Sequence, residues 1–328
     1  MFSPPELRGR EAATPPAAGP QTIALYCSEG SSAIDVAAIA AVFAQANRLD
    51  GRHWYEIVLV APADTVLLAD GVRLGTRPFA QLAVPIDTLV LSGALPAENA
   101  VPGLRRWLAA QLQQARRWCA VDGGLLALAQ LGLGRDCKVS ARAGTRFQLE
   151  GMGVAMQIDE TVLFQRDGRL WSCPGGAPVL DMCLDMVEQD CGRRLANLVA
   201  RHLLVAGRRS SAQAQVSPVL AAQSRGGRDR ELAQLVEWVN QNIDSQLDIA
   251  AMATRVSMSE RNFHRRFKAF TGFTPVDYVT QVRLERARQL LMCDLSLKEV
   301  AKRTGFTSAT TVRRALRRRR PDTPDPAP

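Results

Sequence analysis

Residues 247–268 read LDIAAMATRVSMSERNFHRRFK, and residues 295–317 read LSLKEVAKRTGFTSATTVRRALR. The two stretches are copies of one pattern. Leu247, Ile249, Met252 and Ala253 correspond to Leu295, Leu297, Val300 and Ala301, and the turn at Ser257-Met258 to Gly305-Phe306, at an offset of 48. Beyond the turn the offset is 49, so Phe263 answers to Val312, Arg265 to Arg314 and Phe267 to Leu316. A short helix with an apolar stripe, a tight turn and a second helix with basic outward positions can lay that second helix into a major groove. The sequence predicts this helix-turn-helix unit twice.

Ser259 is placed to cap the second helix of the first copy, with Asn262 at N3 behind it and Gly272 to stop it. Thr274-Pro275 reads as a cap followed by Pro at the first helical position. It opens a long helix whose Val279, Val282, Ala287, Leu290 and Leu291 fall on one face. Such a helix would set the spacing of two readers at about 34 Å, one turn of duplex.

Charge is concentrated in the same region. Residues 228–320 hold 19 Lys and Arg against 10 Asp and Glu, a net of +9 that equals the net of the whole 328-residue chain. The remainder balances at 22 against 22. A basic module beside a neutral one is the footprint of phosphate binding confined to one domain. A merely solvated basic face would leave the repeat unexplained.

The span from Asp229 to Leu316 resembles the AraC/XylS-type DNA-binding domain. The matching residues are Leu247 to Ala253, Ser259 to Phe267, Thr274-Pro275, Arg283 to Leu291, and Glu299 to Ala301 with Gly305-Phe306. The resemblance implies base-edge contacts from Arg261, His264 and Arg265 in the first reader and from Thr310, Thr311 and Arg314 in the second. Arg offers two donors to a guanine edge, and Thr can meet either base or a thymine methyl. Arg266 and Lys268 are assigned to phosphate, which sets affinity and salt dependence rather than sequence choice. The second copy departs from the family pattern. Val312 and Leu316 stand where aromatic residues are usual, and the chain runs into Arg317-Arg318-Arg319-Arg320 instead of a closing turn and helix. That run reads either as a sequence-blind phosphate clamp or as the start of a disordered tail.

Upstream, residues 1–20 are rich in Pro, Ala and Gly without the apolar core of a signal peptide, and read as a disordered leader; residues 321–328 read as a disordered tail. No apolar run is long enough to cross a membrane. Seven cysteines without a CxxC pair suggest neither a zinc site nor a disulfide framework, and fit a reducing cytoplasm. Between 21 and 206 the chain alternates, with strands expected at 22–27, 55–61, 88–92, 118–121 and 170–173 and helices at 33–47, 103–114, 124–131, 176–191 and 193–205. Asp167-Gly168 is expected to turn a hairpin. This alternation predicts an α/β sandwich, a mostly parallel sheet covered on both faces, ahead of an all-α double helix-turn-helix domain at 229–320. Residues 207–228 lack apolar periodicity and read as the linker. Trp54, Trp107, Trp118 and Trp171 are scattered and read as packing residues.

Residues 120–129, AVDGGLLALA, carry a strand straight into a helix through two glycines. The turn puts Asp122 at a strand's carboxyl end beside helix N–H groups, where open α/β sheets bind ligands. This half resembles the class I glutamine-amidotransferase-like (PfpI-like) sensor domain of the GlxA-type regulators. The matches are Ile34-Asp35, Ala46-Asn47, Ser92-Gly93, Asp122 to Gly124, Gln130 to Gly132, and Cys173 to Ala177 with Asp181. It implies a flavodoxin-like fold and pairing through this domain into a homodimer. The candidate ligand-binding residues are Asp35, Gly93, Asp122, Gly123, Arg142, Gly175, Gly176 and Asp181. Structural duties compete: Asp35 can brace the first helix, Gly175-Gly176 can serve only a tight turn, and Asp181 can be a structural hydrogen-bonder.

In enzymes of that fold the turn carries a cysteine nucleophile with a histidine downstream. Here the turn carries Asp122, and Cys119 lies inside the strand as a small buried thiol. None of the histidines, His53, His202 and His264, follows the turn before the domain's helical end, so a Cys/His pair lacks a second member. No catalytic residue, cofactor or metal is expected. An acidic turn residue resembles the subgroup that senses amines such as betaine, carnitine or arginine. The Thr-x-His-Trp-Glu stretch usual in that subgroup is replaced by Ser140-Ala141-Arg142-Ala143-Gly144, so Arg142 either neutralises Asp122 or binds an anion.

The expected protein is a cytoplasmic, nucleoid-associated transcriptional regulator, an activator. Its partners would be double-stranded promoter operator DNA, a small-molecule effector such as an amine or amino-acid derivative, a second copy of itself and RNA polymerase, with no membrane. The rival expectations are an amidotransferase- or protease-like hydrolase tethered to DNA, and a non-specific DNA-binding protein.

Overall fold

A computed structural model describes residues 19–97, 99–205, 207–211, 213–216, 230–245, 247–292 and 295–318. The chain divides into two compact units, Met1–Gln215 and Val216–Pro328. The leader to residue 18, residues 217–228 of the expected linker, and the tail from 321 lie outside the described residues.

The first unit runs β1 (Gln21–Cys27), α1 (Ala33–Asp50), β2 (Tyr55–Ala61), β3 (Thr65–Leu67), β4 (Arg73–Gly75), β5 (Arg77–Pro78), β6 (Thr88–Ser92), α2 (Leu104–Gln114), β7 (Arg117–Val121) and α3 (Gly124–Gln130). It continues with β8 (Lys138–Ser140), α4 (Thr145–Gly151), β9 (Gln157–Asp159), β10 (Gln165–Asp167), β11 (Leu170–Cys173), α5 (Pro178–Cys191) and α6 (Arg193–His202). Seven strands form one sheet in the order β10-β11-β7-β6-β1-β2-β5. Every pair in it is parallel except β10 with β11, the hairpin turned at Asp167-Gly168.

Why the sheet is parallel and central is legible in β1, whose seven residues are all buried. Successive side chains alternate between faces. Ile23, Leu25 and Cys27 enter a core with Ile39, Val42 and Phe43 of α1 and Val179, Met182 and Met186 of α5. Ala24 and Tyr26 enter the opposite core with Leu104, Leu108 and Leu112 of α2 and Leu125 and Leu128 of α3. Burying each such side chain is worth about 1.5–3 kcal/mol, and only a sheet covered on both faces buries both sets. The mostly parallel sheet covered by helices is thus observed. The short β3–β4 and β8–β9 pairs, β5 and α4 were not anticipated.

The second unit is helical: α7 (Arg230–Gln241), α8 (Ile249–Arg255), α9 (Glu260–Thr271), α10 (Pro275–Met292), α11 (Leu297–Arg303) and α12 (Ala309–Arg318). The duplication is visible in the backbone, with positive φ at Ser257 (52°) and at Gly305 (67°) in the two turns. The first helix of each copy is capped alike. Asp248 Oδ2 accepts the Ala251 N–H at 3.3 Å, and Ser296 Oγ accepts the Glu299 N–H at 3.2 Å. Ser259 does stand at the N-cap of α9, but its hydroxyl makes no capping bond. Gly272 ends α9 in the left-handed region, and Thr274 Oγ1 accepts the Asp277 N–H at 3.2 Å as α10 begins.

The linker helix α10 belongs to two cores. Its Tyr278, Val279 and Val282 join Phe263 and Phe267 of α9 and Leu232, Leu235, Val236 and Val239 of α7. Its Ala287 and Leu290 join Val300, Ala301 and Val312 in a smaller core with Phe306 and Leu316 at the edge. Arg283 fastens the junction, its Nη2 donating to Ser245 O at 2.7 Å and its Nε to Ile243 O at 3.2 Å. Gly305 is held against the same place, since a Cβ there would lie 2.5 Å from Ile243 O and 2.7 Å from Arg283 Nη2.

Candidate functional site

On α9, Phe263 and Phe267 turn inward and are fully buried, with ring centroids 5.2 Å apart. That fixes the helix's rotation about its axis. Arg261, His264, Arg265 and Lys268, spaced i, i+3, i+4 and i+7, are then all exposed on one stripe. Arg266 lies off the stripe and is half-buried. Arg265 is oriented by its neighbour, its Nη2 donating to Asn262 Oδ1 at 3.2 Å.

The second reader is built on the same plan with a difference. Val312 is buried, and Thr310, Arg313 and Arg314 are exposed together. Thr311 is tied into the start of α12. Its N–H donates to Ser308 Oγ at 3.1 Å, and its hydroxyl is 3.0 Å from Ser308 Oγ and 3.1 Å from Thr307 Oγ1. It therefore serves the cap, while Arg313 shares the outward stripe with Thr310 and Arg314. The i, i+3 spacing from Thr310 was the signal for Arg313. The side chains of Arg317 to Arg320 lie outside the described residues.

In the sheet unit, Cys27, Ser92, Val121 and Cys173 are aligned across four adjacent strands β1, β6, β7 and β11. The residues just beyond this row, Ser28, Gly93, Asp122 and Pro174, therefore gather at one end of the sheet. β1 and β6 meet where the strand order reverses, the usual place for a ligand crevice. Asp122 sits there at φ 49°, and its N–H donates to Cys173 O at 3.0 Å. A non-glycine residue in that region is strained by roughly 1–2 kcal/mol, and the turn holds the carboxylate out of β7.

Four predicted residues converge. Gly175 has φ 80°, and a Cβ on it would lie 3.0 Å from Asp122 Cβ, 3.0 Å from Asp35 Oδ2 and 3.4 Å from Arg142 Nη2. Glycine thus keeps open the space that these three side chains face. Asp35 is 1% exposed; its Oδ1 accepts the Gly176 N–H at 2.5 Å, while its Oδ2 is buried without a hydrogen-bond partner. Burial pushes the Asp35 carboxyl above the usual carboxylate range, the Gly176 N–H opposes that shift, and nearby Asp122 reinforces it. Arg142 Nε stands 3.4 Å from Asp122 Oδ1, and its guanidinium also donates to Pro174 O. With Arg142 59% exposed, the pair is worth about 0–1 kcal/mol, so a charged ligand can replace either partner at small cost.

The other predicted residues are engaged elsewhere. Gly93 and Gly123 serve close backbone approach, a Cβ on Gly123 falling 3.0 Å from Gly93 Cα. Asp181 does not join the group: its Oδ1 accepts the Arg209 N–H at 2.8 Å and its Oδ2 accepts Arg209 Nε at 2.9 Å. Asp70 was missed. Its Oδ2 accepts the Ala33 N–H at 2.8 Å and the Ser32 hydroxyl at 3.1 Å, bringing a third carboxylate to the start of α1. Nothing in the local sequence links residue 70 to residue 33.

The chemistry of a nucleophile is poorly served. Cys119 is 1% exposed within β7, and burial pushes its thiol up to about 12; a thiol there is not a thiolate at neutral pH. His53 precedes β2 at the opposite end of the parallel strands, which over seven residues is about 23 Å from the Asp122 end.

Comparisons with known proteins agree with both halves. Residues 252–325 match the family described as "Helix-turn-helix domain". The chain is 29% identical over 294 residues to the HTH-type transcriptional regulator GbdR of Pseudomonas aeruginosa, covering 88% of this chain and 79% of that one. It is 28% identical over 285 residues to the HTH-type transcriptional regulator GlxA of Rhizobium meliloti, covering 85% and 86%. Among solved structures, a ThiJ/PfpI family protein from Pseudomonas syringae superposes with a TM-score of 0.51 at 19% identity, covering 78% of this chain and 92% of that one. An AraC family transcriptional regulator from Pseudomonas putida gives 0.50 at 22%, covering 56% and 100%. At these identities the structural likenesses speak for fold alone.

Proposed function

We propose that this chain, a helix-turn-helix transcriptional regulator of the AraC type, reads promoter DNA with the outer stripes of α9 and α12 and adjusts that reading to a small metabolite held at Asp35, Asp122 and Arg142. The observation that carries the reading is a pair of exposed basic stripes, Arg261, His264, Arg265 and Lys268 on α9 and Thr310, Arg313 and Arg314 on α12, in two helix-turn-helix copies connected by the long helix α10. Base choice belongs to Arg265 and Arg314, whose forked donors match guanine edges. Lys268 and Arg266 belong to phosphate.

The sheet unit acts as a sensor and not as an enzyme. Its turn carries a carboxylate where a nucleophile would stand, and the nearby thiols are buried. A cationic amine suits Asp122 together with the unpartnered Asp35 Oδ2, and an anionic group on the same metabolite suits Arg142. Occupancy would shift the population of DNA-competent protein, in a homodimer that activates transcription by recruiting RNA polymerase. Relatives named as HTH-type transcriptional regulators support a regulator over a tethered hydrolase.

The test is calorimetric titration of full-length protein with glycine betaine, carnitine and arginine, beside Asp122→Ala. Binding of one of them to the wild type and its loss in the variant, with an unchanged melting profile, is the expected result. Equal binding by both proteins would remove Asp122 from the site.

A further inference from the structure

The sequence reads residues 207–228 as a linker, yet its first part is bound to the sheet unit. Arg208 pairs with Glu188 and donates to Asn197 Oδ1 at 3.2 Å. Arg209 is gripped twice by Asp181, through its backbone N–H and its guanidinium, and the Asp181 side chain is 2% exposed. Further along, the Leu163 N–H is shared between Ser211 O at 3.0 Å and Gln213 O at 2.8 Å. Ala214 pairs with Val162 in an antiparallel bridge, and the Gln215 N–H donates to Thr161 O at 3.0 Å. The Gln215 side-chain amide closes the attachment, its Nε2 donating to Ala141 O at 2.9 Å and to Val162 O at 3.0 Å.

Both anchors lie close in sequence to residues of the proposed metabolite site. Ala141 is the residue before Arg142, so the carbonyl that holds Gln215 lies next to the backbone of the residue that faces Asp122. Asp181 is in the first turn of α5, shortly after Gly176, whose N–H is held by Asp35. The geometry points to residues 207–211 and 213–215 as a strap that passes the state of the Asp122–Arg142 pair to the segment entering the DNA-binding unit. When a ligand draws Arg142 from Asp122, the Ala141 peptide shifts, Gln215 loses one of its two carbonyl acceptors, and the strap's hold on the sheet unit weakens. Asp181, expected in the ligand site, is the strap's fixed anchor. The inference rests on the metabolite site proposed above.

The strap can be tested without any metabolite. Hydrogen exchange would be measured on the full-length wild type, on Arg142→Ala and on Gln215→Glu, which keeps the shape of the side chain but has no donor for Ala141 O or Val162 O. In both variants the amides of Leu163 and Gln215 should exchange about fivefold faster or more, the loss expected for one net hydrogen bond, while those of β1 and β6 keep wild-type rates. Gln215→Glu should also change affinity for a selected operator in the same direction as Arg142→Ala. Wild-type exchange at Leu163 and Gln215 in Arg142→Ala overturns the strap, as does an opened strap in Gln215→Glu with unchanged operator affinity. Because no metabolite is added, this result stands apart from the metabolite binding measured with Asp122→Ala.

Discussion

Asp35 shows what a buried carboxylate does to stability. Its pKa is raised above that of the unfolded chain, mainly by burial. Between the two values the folded state binds more protons, so stability falls as pH rises through that interval. Asp35→Asn keeps an oxygen to accept the Gly176 N–H and removes the charge. It should therefore melt higher than the wild type at pH 7, by a margin that shrinks as pH is lowered through the usual carboxylate range; a lower melting temperature at pH 7 would show that Asp35 is stabilising where it stands. On the DNA side, Arg265→Ala should cost about 1–3 kcal/mol at one base position and relax the choice there. Binding-site selection before and after the change measures it, and an equal loss on all sequences would assign Arg265 to phosphate. Single residues differed in how far the sequence exposed them. Arg261, His264, Arg265 and Lys268 follow helical spacing around two phenylalanines, which any reader of the stretch can count. The partners of Asp70 and Asp181 lie 37 and 28 residues away, and no local pattern announces them.

At the scale of elements, the strands and helices that fill both sheet faces were legible because their apolar residues follow period 2 or 3.6. β8 and β9 are three residues each, too short to show a period, and the strap is held by backbone groups and polar side chains without any apolar signal. The helix-turn-helix copies were legible in their turns and stripes, but not in their unequal support. Among the described residues, α7 supplies Leu232, Leu235, Val236 and Val239 to the first core, and no described helix gives the second core matching cover. Capping should matter more to the weaker copy. Ser296→Ala removes the side-chain acceptor of the Glu299 N–H and should cost about 1 kcal/mol, read as faster amide exchange in α11 and α12 while α8 and α9 are unaffected. Uniform acceleration through all the described helices of this unit would mean the two copies unfold as one.

The whole molecule joins a balanced sheet unit to a basic helical one. At the end of the sheet away from Asp122, Arg117 (3% exposed) meets Asp190 (1%), Arg116 bridges Asp190 and Asp87, and the Tyr55 hydroxyl donates to Asp190 Oδ2 at 3.1 Å. Asp190→Ala leaves two guanidinium groups short of a partner and should destabilise the sheet unit by about 3–5 kcal/mol; denaturant titration checks this, and a change under 1 kcal/mol would mean the pair is solvated. On the basic side, Lys268→Ala should lower the slope of log affinity against log salt by about 1 on every sequence. Two readers on one linker helix are expected to address DNA together. The most direct test is genome-wide DNA capture with the full-length protein beside a form ending before Ser296. The full-length protein should select a few sites with two half-sites about one duplex turn apart, and truncation should remove one half-site from the motif. An identical motif from both forms, or diffuse capture by both, would contradict it.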